Sequence, residues 1–295
     1  MRTIFFEGNL QMTAKPKILE KILRAVKERR LWRTTYYFLI RFFWERFVLK
    51  RRLPMIRKEF PKIWSLTDTV DALIKGASIC RFGDGELQAI LKNSLGFQVY
   101  SEKLAQRLSE ILAFPTSKNL IIGLYPLRTL HETGAGLFNG MLFSERMYAN
   151  DWKRLRNVII QKEYGNPLVS RVAVFREVPL EKIRSIWAQR DVVFVVGKKS
   201  RFFLEPRLFD NIRSVEYLYV KAKNCFEDYD EILKQTLAYD KKKLFFISCG
   251  PTATVLAFDL AQQGYQALDM GHLPNCYKHY LRESDSPEAT PLEST

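Results

Sequence analysis

The feature that most constrains the fold is a series of short apolar, β-branched runs that alternate with helix-like segments beyond Pro61. Such runs are typical of buried strands, and their alternation with helices predicts an α/β domain with a Rossmann-like, largely parallel sheet. The predicted strands are 78–82, 119–124, 171–175, 191–196, 214–220, 243–248 and 266–270. Ligands bind such sheets outside the carboxyl ends of the strands, so the polar residues there are the first candidates for a site.

Two acids follow the first predicted strand, in the sequence SICRFGDGELQAI at 78–90. Asp84 and Glu86 stand one residue apart, and in an extended turn their carboxylates can point the same way and share one divalent cation. Carboxylate oxygens suit Mn²⁺ or Mg²⁺, which usually also hold phosphate oxygens. A purely structural alternative is that Asp84 is the N-cap of the next helix and that Glu86 favours its positive end.

The neighbours of the two acids fit a diphosphate. Gly83 and Gly85 would let its oxygens approach the backbone, and Arg81 would pair with their charge. We therefore predict that these three residues bind a diphosphate group.

A second strand end carries the turn Cys249, Gly250 and Pro251, followed by a helix with Thr252 and Thr254 near its start. Hydroxyls beside free backbone N–H groups are suited to an anion or a sugar hydroxyl, so we predict that Gly250, Thr252 and Thr254 bind a ligand with such groups. Helix capping alone would also explain these residue types.

The last predicted strand ends at Asp269 and His272, which are candidates for a general base. Asp269 would be a carboxylate at pH 7, and the pKa of His272 is expected to lie near that value. A structural hydrogen bond is the alternative for His272.

The N-terminal arm holds most of the positive charge. From Lys15 to Lys62 there are 16 Lys and Arg against 4 Asp and Glu, a net +12, whereas residues 63–295 carry +3. Helical spacing and a cluster of aromatic residues predict one or two amphipathic helices over residues 17–52 that lie on an anionic membrane surface. The alternatives are packing on the body or on a second subunit, and nucleic-acid binding, which is the least favoured.

These patterns divide the chain into a basic aromatic helical arm (1–62), an α/β domain (63–283) and a polar, Pro-containing tail (284–295) expected to be disordered. The four cysteines lack a CxxC pair and are expected to be reduced and mostly buried. With neither a signal peptide nor an apolar run of about eighteen residues, a cytoplasmic location is expected, peripheral on the membrane if the arm binds there.

Three segments resemble the bacterial GT-D fold glycosyltransferases, a family formerly described as a domain of unknown function that includes a glucosyltransferase of serine-rich adhesins. They are SICRFGDGEL with GFQVYSEKLAQRL (78–87 and 96–108), KNCFEDYDEIL (223–233) and SCGPTATVLAFDLAQQGYQALDMGH (248–272). The resemblance covers roughly residues 65–275 and does not include the arm. LPNCYKHY after His272 and KKSRFFLEPRLFDNI at 198–212 depart from the family's commoner pattern.

The resemblance implies a metal-dependent transferase that moves a sugar from a UDP-sugar donor to a saccharide acceptor, with Asp84 and Glu86 on Mn²⁺ or Mg²⁺. The residues that would bind this donor are Arg81, Gly83, Gly85, Gly250, Thr252 and Thr254. A lipid-linked acceptor would give the membrane arm a purpose, and a homo-oligomer is compatible with the pattern. The competing hypothesis is a non-catalytic α/β protein that binds a nucleotide or a nucleic acid.

Overall fold

The structure is a computed structural model that describes residues 50–127 and 143–289. Within these ranges, six strands form one sheet in which every pair is parallel, and two two-residue strands pair beside it. The strands are β1 (Lys62–Ile63), β2 (Ser78–Phe82), β3 (Leu120–Leu124), β4 (Glu163–Tyr164), β5 (Asp191–Gly197), β6 (Ser214–Val220), β7 (Leu244–Ser248) and β8 (Gln266–Asp269). The order in the main sheet is β3-β2-β8-β7-β5-β6.

Helices cover both faces of this sheet. They are α1 (Lys50–Glu59), α2 (Leu66–Ile74), α3 (Asp84–Ile90), α4 (Glu102–Leu112), α5 (Phe143–Leu155), α6 (Val172–Glu177), α7 (Leu180–Arg184), α8 (Pro206–Phe209), α9 (Tyr229–Leu237), α10 (Pro251–Gln262) and α11 (Leu273–Tyr280). Short 3₁₀ turns lie at Pro167–Ser170, Cys225–Asp228 and Pro287–Ala289.

Alternate side chains of the strands enter two hydrophobic cores, because successive strand residues point to opposite faces. Cys80 and Phe82 of β2 enter the core on the first face, which also contains apolar residues of α1, α3, α4, α5, α9 and α10. Ile79 of the same strand enters the core on the second face, together with residues of α2, α6, α7, α8 and α11. The predicted parallel α/β sheet with flanking helices is therefore confirmed.

The predicted strand at 171–175 is wrong, because Val172–Glu177 is the helix α6. A short β-branched run fits either a buried strand or one buried side of a short helix, and periodicity does not separate the two. Here Val174 and Phe175 face the second core while Arg176 and Glu177 are exposed, which is a helical pattern.

The end of the segment assigned to the basic arm packs on the body. Leu53 and Ile56 of α1 are buried in the first core, and Arg52 donates to the Ala149 carbonyl oxygen of α5 over 3.1 Å. The phenyl ring of Phe60 contacts Trp152 of the same helix. Residues 50–62, which end at Lys62 in β1, therefore belong structurally to the α/β body, and residues 1–49 of the arm lie outside the described residues.

The tail also differs from expectation over its first residues. Residues 284–289 were expected to be disordered, but Ser284 accepts a hydrogen bond from His279, and Glu288 lies 3.9 Å from Arg171. These contacts hold the Pro287–Ala289 turn against α6 and α11. The remaining residues, 290–295, lie outside the described ranges.

Cysteine burial follows the sequence prediction, since Cys80, Cys225 and Cys276 are buried, Cys249 is half-buried, and all four are free thiols.

Over residues 50–127 and 143–289, no helix is both long and apolar enough to cross a membrane.

Candidate active site

The predicted site residues meet at the carboxyl ends of β2 and β8. These two strands are neighbours in the sheet, yet the chain leaves β2 towards α3 on the first face and leaves β8 towards α11 on the second. Connections that diverge in this way open a crevice between the strand ends, which is where open α/β sheets bind ligands. We refer to this space as the β2–β8 crevice.

Arg81 is held rigidly at the base of this crevice. Its Nη2 lies 2.9 Å from Oδ1 of Asp269, and its backbone N–H donates to Oδ2 of the same carboxylate over 3.2 Å. The Nε and Nη1 groups donate to the Asp269 carbonyl oxygen and to the hydroxyl of Ser170. Both members of the ion pair are largely buried, with 13% and 4% of their side-chain surface exposed. Asp269 therefore fixes the position of the Arg81 guanidinium at the crevice.

Thr254 supports the same ion pair. Its hydroxyl oxygen lies 3.1 Å from the Arg81 carbonyl oxygen and 3.0 Å from Oδ2 of Asp269. Both Thr254 and Thr252 are fully buried. The prediction that these two hydroxyls contact a donor is therefore not supported by their placement. Thr254 acts on the site by holding Arg81 and Asp269.

Helix α3 begins directly above the ion pair, and its first turn carries Asp84 and Glu86. Gly83 is the N-cap, so the alternative in which Asp84 caps the helix is wrong. Instead, Glu86 folds back and accepts a hydrogen bond from the Gly83 N–H over 2.9 Å, which is the reciprocal half of a capping box. Asp84 is exposed and Glu86 is half-buried.

The expected extended turn is also absent at Asp84 and Glu86, because both residues are helical. In a helix interior, residues two apart point to different sides. The first turn differs, since side chains tilt towards the N-terminus and the Glu86 carboxylate already reaches Gly83 there. The Glu86 carboxylate therefore lies at the positive end of α3, in the same turn as Asp84.

The surroundings of Glu86 disfavour its negative charge, so a positively charged partner would stabilise the carboxylate. Burial and the neighbouring Asp269 carboxylate raise the pKa of Glu86 to about 7, although Arg81 and the Gly83 N–H act to lower it. A carboxylate that is costly to ionise gains most from a cation placed beside it. Asp84 and Glu86 thus fit a hard divalent cation as a pair of oxygen ligands. Over the described residues, no group of three or more His, Cys, Asp or Glu side chains could hold a metal.

Gly250 marks the first-face side of the crevice. Its φ of +64° favours glycine, and a Cβ there would meet the ring of Phe97 at 2.9 Å. Phe97 is 46% exposed, and its carbonyl oxygen accepts from the Asn224 N–H over 2.9 Å. Sequence reasoning missed Phe97 because nothing local places an exposed ring over a turn 150 residues away. By contrast, a Cβ at Gly85 would make only ordinary contact with Leu95, so space does not require glycine there.

His272 is the N-cap of α11, directly after Gly271. The expectation that its pKa lies near 7 is wrong, because burial, with Arg171 and Arg81 nearby, lowers that pKa to about 4. His272 is therefore neutral at pH 7. Gly271 has a φ of +44°, and a Cβ there would lie 2.4 Å from Nη2 of Arg81, so this glycine makes room for the guanidinium.

Comparison with known proteins places this arrangement in a family. The model for the glycosyltransferase GT-D fold matches residues 79–292, which include all of β8, all but the first residue of β2 and the site residues described above. The chain belongs to the GT-D fold glycosyltransferase family. This confirms the resemblance seen in the sequence.

Two curated streptococcal proteins are among the relatives of this GT-D chain. A probable glycosyl transferase Gly of Streptococcus gordonii is 29% identical over 233 residues, covering 74% of this chain and 33% of that protein. The glycosyltransferase GlyD of Streptococcus pneumoniae serotype 4 is 28% identical over 233 residues, covering 74% of this chain and 27% of that protein. The match thus spans about a third or less of the length of these relatives.

Solved structures show the same fold. One, described as a domain of unknown function 1792 with a distinct glycosyltransferase fold, gives a TM-score of 0.69 at 29% identity and covers 79% of this chain and 86% of that one. Another, a glycosyltransferase from Streptococcus sanguinis, gives 0.66 at 26% identity and covers 76% and 86%. The GT-D architecture of this chain is therefore shared with experimentally determined relatives.

Proposed function

We propose that the chain is a glycosyltransferase that moves a sugar from a nucleotide-sugar donor, specifically a UDP-sugar, to a saccharide acceptor. The observation that carries this proposal is the fixed Arg81 guanidinium beside the acids of α3, at the strand ends where the fold binds ligands. Family membership supports the same reaction class.

Asp84 and Glu86 would hold Mn²⁺ or Mg²⁺. When bound, such a cation neutralises the negative charge that develops on a leaving diphosphate. Two carboxylates leave most ligand positions of the ion open, so the donor phosphates and water would supply the others. Gly83 is the N-cap of α3 and donates its N–H to Glu86, while Gly85 lies in the first turn of the helix, where the positive end of the helix favours an anion.

Arg81 would bind the donor diphosphate. Three of its guanidinium N–H groups donate to Asp269 and Ser170, which leaves two of the five donors of an arginine for a ligand. Because its partners hold the side chain before the donor arrives, little conformational entropy is lost on binding. Gly250 would contribute a close backbone approach at the first-face side of the crevice.

The acceptor hydroxyl needs a proton acceptor, and the two candidates are Asp269 and His272, at and just after the carboxyl end of β8. Asp269 already accepts hydrogen bonds from Arg81 and lies beside the Thr254 hydroxyl, which favours a positioning role. His272 is neutral at pH 7, so its free imidazole nitrogen can accept a proton, although a pKa of about 4 makes it a weak base.

The setting of the reaction is part of the same proposal. We place the chain in the cytoplasm, with residues 17–52 docked on the inner, anionic face of the membrane and with a lipid-linked saccharide as the acceptor. Residues 15–49 carry 10 Lys and Arg against 3 Asp and Glu, and this net charge of +7 supports the docking.

A donor screen tests the function. The full chain is incubated with a panel of UDP-, GDP- and TDP-sugars, with Mn²⁺ or with EDTA, and nucleotide release is measured. We expect release from one or more UDP-sugars that depends on Mn²⁺. An absence of release from every donor, together with tight binding of RNA or DNA, would favour the non-catalytic hypothesis.

A further inference from the structure

A cavity of about 910 Å³ opens on the second-face side of Asp84, between α6 and α11. Its size lies within the range of about 300–1,000 Å³ that is usual for small-molecule sites. Asp84 is part of its wall, so this carboxylate is shared by the cavity and the β2–β8 crevice. We propose that the cavity binds the saccharide acceptor, an assignment that rests on the proposed function.

Two aromatic residues form part of the cavity wall, and the backbone of each is fixed on both sides. The Trp64 N–H donates to Tyr164 over 2.9 Å, and its carbonyl oxygen accepts from the Asn166 side chain over 3.2 Å. The Tyr125 N–H donates to Phe82 over 2.9 Å. Its carbonyl oxygen accepts from the Tyr148 hydroxyl over 2.6 Å. Both rings are half-buried against the second core on this fixed backbone, and each can offer a flat apolar face to the C–H side of a sugar ring.

The charged residues of the wall favour a polar, uncharged ligand. Arg171 and Arg176 contribute positive charge, while Asp84, Glu177 and Glu288 contribute negative charge. Arg171 is partly neutralised by Glu288, whose carboxylate lies 3.9 Å away. The guanidinium groups can donate hydrogen bonds to sugar hydroxyls, and the carboxylates can accept hydrogen bonds from them. A strongly anionic ligand would instead meet three acids. A saccharide satisfies both the aromatic faces and the mixed polar groups.

The position of the cavity suits transfer. Gly250 and Phe97 bound the crevice on the first-face side, while the cavity lies beyond Asp84 against helices of the second face. A donor whose diphosphate lies at Asp84 and Arg81 would thus have its sugar between the two spaces. An acceptor hydroxyl in the cavity would approach that sugar from the side opposite Gly250. The cavity residues Ile63 and Trp64 lie before the range that the family model matches.

Binding of p-nitrophenyl glycosides tests the assignment without requiring turnover. Saturation-transfer NMR with a panel of p-nitrophenyl hexosides and N-acetylhexosaminides is recorded on the full chain and on Trp64→Ala and Arg176→Ala. Arg282→Ala, a second exposed arginine outside the cavity wall, is the matched control. Trp64→Phe keeps an aromatic face and should retain binding.

We expect at least one glycoside to bind the wild-type chain and the control, with affinity about ten-fold weaker in Trp64→Ala and Arg176→Ala. UDP release into water without acceptor should stay within two-fold of the wild-type rate in the control Arg282→Ala, a difference of about 0.4 kcal/mol. Equal binding by every variant, or no binding by the wild-type chain, would overturn the assignment. If Trp64→Ala fails to fold, Arg176→Ala decides, because that side chain is exposed.

Failure of the proposed function gives a different pattern. A wild-type chain that releases no nucleotide from any donor, yet binds glycosides through Trp64 and Arg176, would contradict transferase activity and support a saccharide site in this cavity.

Discussion

At the scale of single residues, the site depends on contacts that sequence spacing does not reveal. Arg81 and Asp269 were each predicted to lie at a strand end, but as donor ligand and general base, not as each other's partner. They are 188 positions apart, and their ion pair exists because β2 and β8 are neighbours in the sheet. Ser170, which completes the support of Arg81, follows no predicted strand and carried no signal in the sequence.

Replacing Gly271 by alanine should displace Arg81. The new Cβ would lie 2.4 Å from Nη2 of Arg81, so the guanidinium must move away from Asp269. We expect nucleotide release to fall by about ten-fold or more, the effect of losing roughly 1.4 kcal/mol in the transition state. The control is Gly264→Ala, which has a φ of +83° but no atom within 4 Å of its Cβ.

Both alanine variants carry the strain of a left-handed backbone, about 1 kcal/mol, so both should melt a few degrees lower than the wild-type chain. Equal losses of activity in the two would contradict a specific effect on Arg81.

At the scale of elements, six of the seven predicted strands are strands in the structure, whereas the run at 171–175 is a helix and two very short strands were missed. The runs at 191–196 and 214–220 are strands because their alternating side chains fill two cores or line an edge. Val172–Glu177 is a helix, in which the neighbouring residues Val174 and Phe175 are both buried and the next two residues are both exposed. β1 and β4 were missed because two residues carry no periodic signal.

The start of α11 has a pH signature. His272 has a pKa of about 4 in the folded chain, below its ordinary value of 6.5, because burial disfavours the charged ring. The unfolded chain therefore takes up a proton first, and the folded state loses stability as pH falls from about 6.5 to about 4. Above that window, His272 contributes no pH dependence.

Thermal melting of the wild-type chain and of His272→Gln between pH 4 and 8 measures this effect. We expect the difference in melting temperature between the two to be constant above pH 6.5 and to shift in favour of the variant as pH falls. A difference that stays constant down to pH 4 would contradict the neutral, buried state of His272.

At the scale of the whole molecule, the described α/β body begins earlier than the sequence suggested. Charge and aromatic content extend through residue 62, which concealed the fact that Leu53 and Ile56 belong to the core. The composition of a segment does not show which other element it packs against, and burial depends on that packing. Here α1 packs against α5.

Two truncated chains test the division between arm and body. Residues 1–49 carry 11 Lys and Arg against 4 Asp and Glu, a net +7. A chain that begins at Lys50 should fold, keep its nucleotide release and lose binding to anionic vesicles. A chain that begins at Pro61 should melt lower, because it loses two buried core side chains, each contributing about 2 kcal/mol or more.

Vesicle co-sedimentation of the full chain should weaken as salt rises, since charges at the surface are screened over about 8–10 Å near physiological ionic strength. A full chain that does not bind anionic vesicles at low salt would refute the membrane role. Aggregation of the chain that begins at Lys50 would instead favour packing of the arm on the body or on a second subunit.

The central claim is that Asp84 and Glu86 hold the cation on which donor cleavage depends, and Mn²⁺ binding followed by electron paramagnetic resonance tests it most directly. Titrations with and without UDP are compared for the wild-type chain, Asp84→Asn, Glu86→Gln and the exposed control Asp285→Asn. We predict that UDP tightens binding of one Mn²⁺ to the wild-type chain and the control. Both site variants should lose this binding and their nucleotide release while melting close to the wild-type temperature. Wild-type Mn²⁺ affinity in Asp84→Asn and Glu86→Gln would contradict the account.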